Sequence, residues 1–190
     1  MRLVLASASP RRAALLERLG LMADLVDPAD VDESALRNEN PADHAVRLAE
    51  TKARLVAARH PGAVVLAADT VVAVGKRILP KAEDEATARH CLKLLSGRRH
   101  RVYSAVTVID ASGRARHRLS TSIVAFKPLA DAEIEAYLAS GEWHGKAGGY
   151  AIQGRAEAYV RFFSGSHSGV VGLPLYETRA LLQAAGIALG

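Results

Sequence analysis

The chain has 190 residues, of which 49% are hydrophobic and 24% charged, and its formal net charge at pH 7 is +5. This composition is that of an ordinary globular protein that can bury a proper core as one domain over residues 1–190. The single cysteine, Cys91, excludes an intrachain disulfide framework, and no apolar run approaches the roughly 18 residues of a membrane span. Because the apolar run at residues 3–6 is also too short for a signal peptide, we expect a cytoplasmic protein with no membrane partner.

The first half of the chain alternates predicted strands and helices. Strands are predicted over residues 3–6, 22–27 and 63–68, and helices over residues 10–19 and 41–59. The second helix has the clearest signals, because Asn40 can cap it, Pro41 opens it and Gly62 follows its end. This alternation indicates an α/β fold.

The second half adds hairpins to the alternation. A strand pair around residues 71–79, a helix over 83–95, paired strands over 102–109 and 117–126, a helix over 131–139, a strand near 157–163 and a helix after Pro174 are predicted. Hairpins favour a mixed sheet over a purely parallel one. We therefore predict a mixed, twisted sheet flanked by helices, with two lobes around a cleft.

The positive charge is concentrated in two patches that flank the hairpin turn Asp110-Ala111-Ser112-Gly113. Residues 98–101 and 114–118 each contain three arginines and one histidine. Such charges are typical of solvated edge strands, where they discourage association between sheets. Because Tyr103 is the only aromatic residue interleaved with them, we expect no nucleic-acid partner.

The segment Ser9-Pro10-Arg11-Arg12 places two arginines where a helix is predicted to begin. Ser9 is a natural N-cap and Pro10 a natural first helical residue, so both arginines fall in the first turn, beside the positive end of the helix dipole. Acidic residues are expected at such a position instead. Backbone N–H groups, dipole and guanidinium groups together favour an anion, and the segment therefore predicts a phosphate site.

Asp69 and Lys52 are charged residues in apolar surroundings. Asp69 follows an apolar run and is predicted to leave a strand, as does the turn at residues 7–12, so that both can face one cleft. Asp69 is either a structural ion pair or capped turn, or else a metal ligand or general base. Lys52 lies on the apolar face of its helix, either as a snorkelling lysine or as a functional cation.

Three further residues are candidates for a ligand site. Glu33 belongs to an acidic loop that is either solvated or offers a carboxylate to a divalent cation. Lys81 lies in a predicted loop before a helix, where a cation can meet a phosphate. Gln153 ends a glycine-rich stretch that is neither a Walker A loop nor a dinucleotide fingerprint, and its amide suits a nucleobase edge. The seven histidines form no metal-binding motif, so we expect no zinc site.

Six short segments, spread over nearly the whole chain, belong together as one pattern. They are LASASPRR (5–12), RLAETKA (47–53), AADTVV (67–72), LSG (95–97), GGYAIQG (148–154) and VVGLPL (170–175). In this order they resemble the Maf family of nucleoside triphosphate pyrophosphatases. The resemblance implies a two-lobed α/β fold with a nucleotide-binding cleft, a divalent cation such as Mg²⁺ or Mn²⁺, a homodimer, and hydrolysis of a triphosphate to monophosphate and pyrophosphate.

The resemblance also implies roles for individual residues. Asp69 matches the family's proton acceptor and, with Glu33, would hold the metal. The remaining matches are the catalytic cations Lys52 and Lys81 and the substrate-binding residues Ser7, Ser9, Arg11, Arg12, Thr70 and Gln153. Of these, Arg11, Thr70 and Gln153 match specificity positions, in the pattern of the branch that acts on dTTP and UTP. Ala82 departs from the family, which usually has proline there, and this change is expected to loosen the loop that carries Lys81.

The expected function is therefore hydrolysis of dTTP, UTP and modified pyrimidine triphosphates, which cleanses the nucleotide pool. Two alternatives remain open at this point. One is a nucleotide-sensing or nucleic-acid-binding regulator of cell division and septum formation. The other is a pyrophosphatase similar to the inosine triphosphate enzymes, which would prefer purine triphosphates.

Overall fold

The computed structural model describes residues 1–189, in which strands and helices alternate over most of the chain. The strands are β1 (Leu3–Leu5), β2 (Leu25–Val26), β3 (Val64–Val74), β4 (Arg77–Leu79), β5 (Lys81–Ala82), β6 (Arg99–Ile109), β7 (Ala115–Phe126), β8 (Lys146–Ala147) and β9 (Val160–Ser164). The α-helices are α1 (Pro10–Glu17), α2 (Pro41–Arg59), α3 (Glu85–Leu95), α4 (Asp131–Ala139), α5 (His167–Val171) and α6 (Leu175–Ala184), and a 3-10 helix spans Arg155–Tyr159.

The large sheet is mixed, as the sequence predicts. Its strands lie in the order β2-β1-β3-β6-β7-β9, and β4 pairs with one end of β3. β1 runs parallel to β2 and β3, whereas β3, β6, β7 and β9 are successively antiparallel. β5 and β8 form a separate antiparallel pair. The predicted α/β class with a mixed sheet flanked by helices is therefore confirmed.

The predicted end of the third strand, before Asp69, is wrong. β3 continues through Asp69 and Thr70 to Val74. The cause is pairing with a distant segment, because β6 forms a continuous ladder with β3 from Val65 to Ala73. The β-branched residues that follow Asp69 also suit an extended backbone. Asp69 and Thr70 therefore lie in the middle of a strand rather than at its exit.

The middle of β3 is open along one edge. On this edge β1 pairs with residues 64–66 and β4 pairs with residues 72–74, so that residues 67–71 lie between the two partners and pair only with β6 on the opposite edge. Successive side chains of a strand point to opposite faces of the sheet. A cleft at this gap can therefore reach side chains from both faces of β3.

Helices cover both faces of β3 beside this gap. On one face Ala67 belongs to a buried cluster with Ala53 of α2, and on the other face Ala68 belongs to a cluster with residues of α1 and α6. By alternation, Asp69 shares the face of α2 and Thr70 shares the face of α1. Two adjacent residues thus meet different helices.

A further core cluster lies at the other end of β3 and β6. There α3 and α4 pack on the sheet, and the cluster includes the large side chains Phe126, Tyr137 and Tyr150. The buried apolar residues thus fall into groups on either side of the open edge of β3. This arrangement agrees with the two lobes predicted from the sequence.

Most predicted elements appear close to their expected positions. The structure confirms the bounds of α2 and α4 and places Cys91 in α3 as a buried residue. The edge-strand interpretation holds only in part for the first basic patch, because its arginines are exposed and the ladder with β3 reaches only Arg101, but His100 is buried. It holds for the second patch, since β9 pairs with β7 only beyond Ser122. Among the helices of residues 1–189, none is long and apolar enough to cross a membrane.

Candidate active site

A cavity of about 320 Å³ opens at the gap in β3. It brings together all ten residues that the sequence singles out, from six separate segments of the chain. They are Ser7, Ser9, Arg11, Arg12, Glu33, Lys52, Asp69, Thr70, Lys81 and Gln153. Its volume lies in the range of small-ligand sites.

The start of α1 contributes a positively charged wall. Ser9 is the N-cap and Pro10 the first helical residue, as predicted, but the Ser9 hydroxyl accepts no hydrogen bond from the helix. The first turn contains no acidic residue. Pro10 has no N–H, and the Arg12 and Ala13 N–H groups donate to the Ser9 carbonyl at 3.1 and 3.4 Å, so within this turn the Arg11 N–H is the one left available to an anion.

Arg12 is fixed by contacts with three segments of the chain. Its Nε donates to the Gly172 carbonyl at 2.8 Å, its Nη1 donates to Ser7 Oγ at 3.1 Å, and its Nη2 lies 3.5 Å from Thr70 Oγ1. Burial lowers the pKa of Arg12, and the Asp69 carboxylate opposes this shift. The guanidinium is therefore a partly buried cation held in one place.

Arg11 differs from its neighbour. Burial lowers its pKa too, but its side chain forms no hydrogen bond or ion pair within residues 1–189. A guanidinium has five N–H donors in a rigid fork. Those of Arg11 are free to meet a ligand in the cleft.

Lys52 links the two carboxylates of the site. Its Nζ donates to Glu33 Oε1 at 2.6 Å and to Asp69 Oδ1 at 2.7 Å. The residue is 6% exposed, so its charge is inside the protein and the snorkelling interpretation is wrong. Burial of the ammonium is tolerated because two anions neutralise it.

Glu33 is the outer carboxylate. Its Oε1 accepts from Lys52, and its Oε2 accepts from Lys81 at 2.5 Å. Partial burial raises the pKa of Glu33, but the hydrogen bonds from the two lysines outweigh burial and lower it to about 2. Glu33 is therefore ionised at neutral pH, and although the residue is exposed, as the solvated alternative expects, both of its carboxylate oxygens are bound by lysines.

Lys81 lies in β5 rather than in the predicted loop. Its partner in β8 is Ala147, while Ala82 pairs with Lys146. Ala82 is fully buried, and its carbonyl accepts a hydrogen bond from the Gly145 N–H at 2.8 Å. This pairing supports the segment that carries Lys81, and the loosening expected from alanine at position 82 stays a prediction.

Lys146 is a cleft residue that the sequence analysis missed. Burial lowers its pKa, and the nearby charge of Arg11 lowers it further. The signal was the glycine-rich stretch itself. Gly148 and Gly149 both have φ of +70°, and a Cβ on Gly148 would lie 2.9 Å from Val72 Cγ1. Glycine is required there so that the loop carrying Lys146 can pack against β3.

Arg47 is a second missed residue, and it holds the segment that carries Glu33. Its Nη2 donates to the Ser34 carbonyl at 2.9 Å, and its Nε and Nη2 donate to the two oxygens of Glu39 at 2.6 and 2.9 Å. Lys52, about one and a half turns further along α2, donates a hydrogen bond to Glu33. The signal was the RLAETKA segment, of which only Lys52 was interpreted.

The cleft carries an excess of positive charge. Five cationic side chains and three carboxylates line it, the latter being Glu33, Asp69 and the additional residue Glu83. Such an excess favours a ligand with several negative charges.

The carboxylates are suited to a shared divalent cation. Within residues 1–189 no group of three or more His, Cys, Asp or Glu side chains could hold a metal ion by itself. Asp69 and Glu33, however, both reach the same ammonium, and Lys52 engages only Oδ1 of Asp69. Mg²⁺ is often held by one or two carboxylates together with substrate phosphates, and this pair fits that arrangement.

Comparison with known proteins identifies the family of this cleft. The model of the Maf-like protein family matches residues 2–185. The chain belongs to the Maf family. Within this family it is 68% identical over 185 residues to a dTTP/UTP pyrophosphatase of Novosphingobium aromaticivorans, covering 97% of this chain and 92% of that protein. It is 63% identical to one of Paramagnetospirillum magneticum, covering 98% of each.

The Maf fold of this chain is similar to a solved structure of another protein. The Ham1 protein of Staphylococcus aureus superimposes with a TM-score of 0.51 over 97% of each chain, at 16% sequence identity. This likeness concerns the fold alone.

Proposed function

We propose that this Maf protein hydrolyses dTTP, UTP and modified pyrimidine triphosphates to the monophosphate and pyrophosphate. The observation that carries the proposal is the pair of carboxylates, Asp69 and Glu33, joined by Lys52 beside the uncapped start of α1. The names of relatives at 68% and 63% identity support the choice of substrate. Hydrolysis of such nucleotides would remove unwanted members of the pool.

The cations of the cleft suit a triphosphate chain. Arg12 and the first turn of α1 form one wall, and Lys81 and Lys146 lie on the paired strands β5 and β8. Charge-assisted hydrogen bonds from such groups are about twice as strong as neutral ones. In this proposal they bind the phosphates and stabilise the charge that moves to the leaving pyrophosphate.

Asp69 and Glu33 would hold the divalent cation, Mg²⁺ or Mn²⁺, together with phosphate oxygens. When bound, the cation supplies a Lewis acid that neutralises negative charge on the phosphates. Lys52 keeps the two carboxylates close together and, with Lys81, keeps Glu33 ionised. The buried ammonium thus sets both the position and the charge of the pair.

Asp69 is also the proposed acceptor of the water proton. Its Oδ2, which Lys52 leaves free, would orient a water molecule and take its proton during in-line attack on the α-phosphorus. The bond from this phosphorus to the bridging oxygen breaks as the new bond to the water oxygen forms. The electron pair of the broken bond leaves with pyrophosphate.

The nucleobase of the substrate would contact Arg11, Thr70 and Gln153, all of which line the cleft. Arg11 has free donors, and Gln153 offers both a donor and an acceptor. This assignment follows the specificity positions that the resemblance implies. We extend the proposal to a homodimer in the cytoplasm on the resemblance alone, and sedimentation of the purified protein would test the dimer.

A panel of nucleoside triphosphates, assayed with and without Mg²⁺, tests the proposal. We expect pyrophosphate and monophosphate from dTTP and UTP only when the metal is present. Asp69→Asn should lower this turnover by roughly 10² to 10⁴-fold, as expected for loss of a general base. Asp110→Asn, on the distant hairpin turn, is the matched control and should retain activity.

Other outcomes would select the alternatives. Faster hydrolysis of purine triphosphates would favour an enzyme similar to the inosine triphosphate pyrophosphatases. Tight nucleotide binding without turnover would favour a nucleotide-sensing regulator. Near-normal turnover by Asp69→Asn would remove this residue from the chemistry.

A further inference from the structure

A chain of polar groups leads from the cleft into the protein behind Thr70. Arg12 Nη2 lies 3.5 Å from Thr70 Oγ1, which lies 3.2 Å from Ser104 Oγ on the neighbouring strand β6. Ser104 Oγ in turn lies 2.5 Å from the carbonyl oxygen of Gly169 in α5. Ser104 is 1% exposed and does not line the cleft, so it meets no ligand itself.

The two ends of this chain favour one direction for its hydrogen bonds. The Gly169 carbonyl can only accept and lies 2.5 Å from Ser104 Oγ, closer than Thr70 Oγ1 at 3.2 Å, so the single hydroxyl proton of Ser104 is directed to it. Ser104 Oγ is then an acceptor for the hydroxyl of Thr70. At the other end, the Arg12 guanidinium can only donate, so it faces a lone pair of Thr70.

With this direction, the Thr70 hydroxyl can accept a hydrogen bond from a ligand in the cleft but cannot donate one to it. Its proton points away, toward Ser104, and its remaining lone pair is open to a ligand. We propose that Ser104 is a positioning residue that fixes Thr70 as a hydrogen-bond acceptor and thereby selects pyrimidine bases that carry a proton on N3. The inference rests on the proposed function and deepens it.

The chemistry of the bases makes this selection specific. Uracil and thymine present an N3–H donor, whereas cytosine presents an unprotonated N3 that can only accept. If cytosine N3 faces the acceptor lone pair of Thr70, neither atom has a hydrogen-bond donor. Burying such unpaired polar atoms away from water costs binding free energy. Thr70 held by Ser104 would therefore accept uracil and thymine and reject cytosine at this atom.

A structural role alone would give a different result. Ser122 is the matched comparison, because it is also 1% exposed, lies on the adjacent strand β7, and accepts a hydrogen bond from the Ser166 N–H at 3.0 Å. It thus ties the same region, around α5, to the sheet without touching Thr70. Loosening of this region would affect both serine variants alike.

The experiment compares kcat/KM for UTP and CTP, which have the same sugar and phosphates. In Ser104→Ala the Thr70 hydroxyl is released and can donate to cytosine N3, so we expect the UTP to CTP ratio to fall by about tenfold or more. In Ser104→Cys, whose thiol forms only weak hydrogen bonds, the UTP to CTP ratio should also fall, but by less than in Ser104→Ala. Ser122→Ala should keep the wild-type ratio.

A second pair of variants separates positioning from stability. Thr70→Val should lower the ratio by itself, and adding Ser104→Ala to Thr70→Val should change the ratio no further. Thr70→Ser, which keeps the hydroxyl, should preserve the ratio. Thermal unfolding of each variant shows whether it is folded at the assay temperature.

Three results would overturn the inference. They are an unchanged ratio in folded Ser104→Ala, an equal fall in Ser122→Ala, or a further fall when Ser104→Ala is added to Thr70→Val. Wild-type protein that hydrolyses neither UTP nor CTP would overturn the proposed function and this inference with it. Wild-type protein that hydrolyses UTP while Ser104→Ala keeps the ratio would overturn the inference alone.

Discussion

Lys52 is the residue on which the geometry of the site depends most. It is a buried cation between two carboxylates, at 2.6 and 2.7 Å from their nearest oxygens. Replacing Lys52 leaves Asp69 buried without a partner for its charge, which is far more costly than losing an exposed pair, whereas Glu33 is exposed and keeps Lys81. Lys52 is thus as important for the charge and position of Glu33 and Asp69 as for any contact with a ligand.

We predict that Lys52→Met will abolish most activity while the protein remains folded. Methionine keeps the length of the side chain, but the two carboxylates then repel each other, and the pKa of Glu33 rises from about 2. We expect turnover of UTP at neutral pH to fall by at least about 100-fold, as for loss of a general base. Steady-state assays together with circular dichroism would measure this.

Arg54→Met provides the control on the same helix. Its guanidinium is largely exposed and pairs only with Glu50, one turn away. Such surface pairs contribute little to stability, and this variant should keep wild-type activity. Lys52→Met with turnover close to that of Arg54→Met would contradict the role given to the buried lysine.

At the level of elements, helix α2 holds the segment that carries Glu33 at two points. Arg47 binds the Ser34 carbonyl and Glu39, and Lys52 binds Glu33 itself. Loops are usually the most mobile parts of a fold. Here one helix keeps a loop residue in place on both sides.

We predict that Arg47→Gln will weaken catalysis without touching the ligand. Loss of the guanidinium removes three hydrogen bonds to the Glu33 segment, so Glu33 should be positioned less well. Because a misplacement of about 1 Å can cost about 100-fold in rate, we expect kcat to fall by about tenfold or more. The Glu39 side chain is 8% exposed and loses its cation, so stability should fall as well, and thermal unfolding shows whether the variant is folded at the assay temperature. Arg54→Gln, whose exposed guanidinium on the same helix pairs with Glu50, is the control; equal kcat values for both variants would exclude the positioning role.

The elements and residues that the sequence predicts well are those with local signals. Asn40 and Pro41 fix the start of α2, and Ser9 and Pro10 fix the start of α1, because each signal depends on neighbours in the chain. The extent of β3 was missed because its cause, the ladder with β6, lies some thirty-five residues away. Lys146 and Arg47 were missed for a similar reason, since their positions depend on pairing and contacts between distant segments.

At the level of the whole molecule, the buried aromatic cluster makes stability depend on pH. His100 is 2% exposed, contacts the Phe126 ring, and its Nε2 lies 2.7 Å from the Tyr150 hydroxyl. Burial lowers the pKa of His100 from 6.5 to about 4. The histidine is therefore neutral in the folded protein, and its Nε2 can accept the proton of Tyr150.

We predict that the protein will lose stability as the pH falls from about 6.5 toward about 4. In this range His100 becomes protonated in the unfolded chain but stays neutral in the folded protein, which favours unfolding. Above this window the contribution of His100 is constant. Between about pH 7 and about pH 4.5 the free energy of unfolding should fall by roughly 2 kcal/mol on this account. Urea unfolding at several pH values would measure it.

The matched variants are His100→Gln and His117→Gln. Glutamine at position 100 cannot take up the proton, so the slope of stability against pH should be smaller than in the wild type. His117 is exposed on β7, and its replacement should leave the slope unchanged. An identical slope in all three proteins would show that His100 does not cause the acid sensitivity.

The open edge of β3 has a consequence for solubility. Unpaired strand edges are the usual starting points of aggregation, since another chain can add a strand to them. Here the unpaired stretch, residues 67–71, is closed at one end by β1 and at the other by β4. An intruding strand from another molecule would collide with both. The backbone groups of this stretch can thus be open to a small ligand and still be protected from aggregation by strand addition.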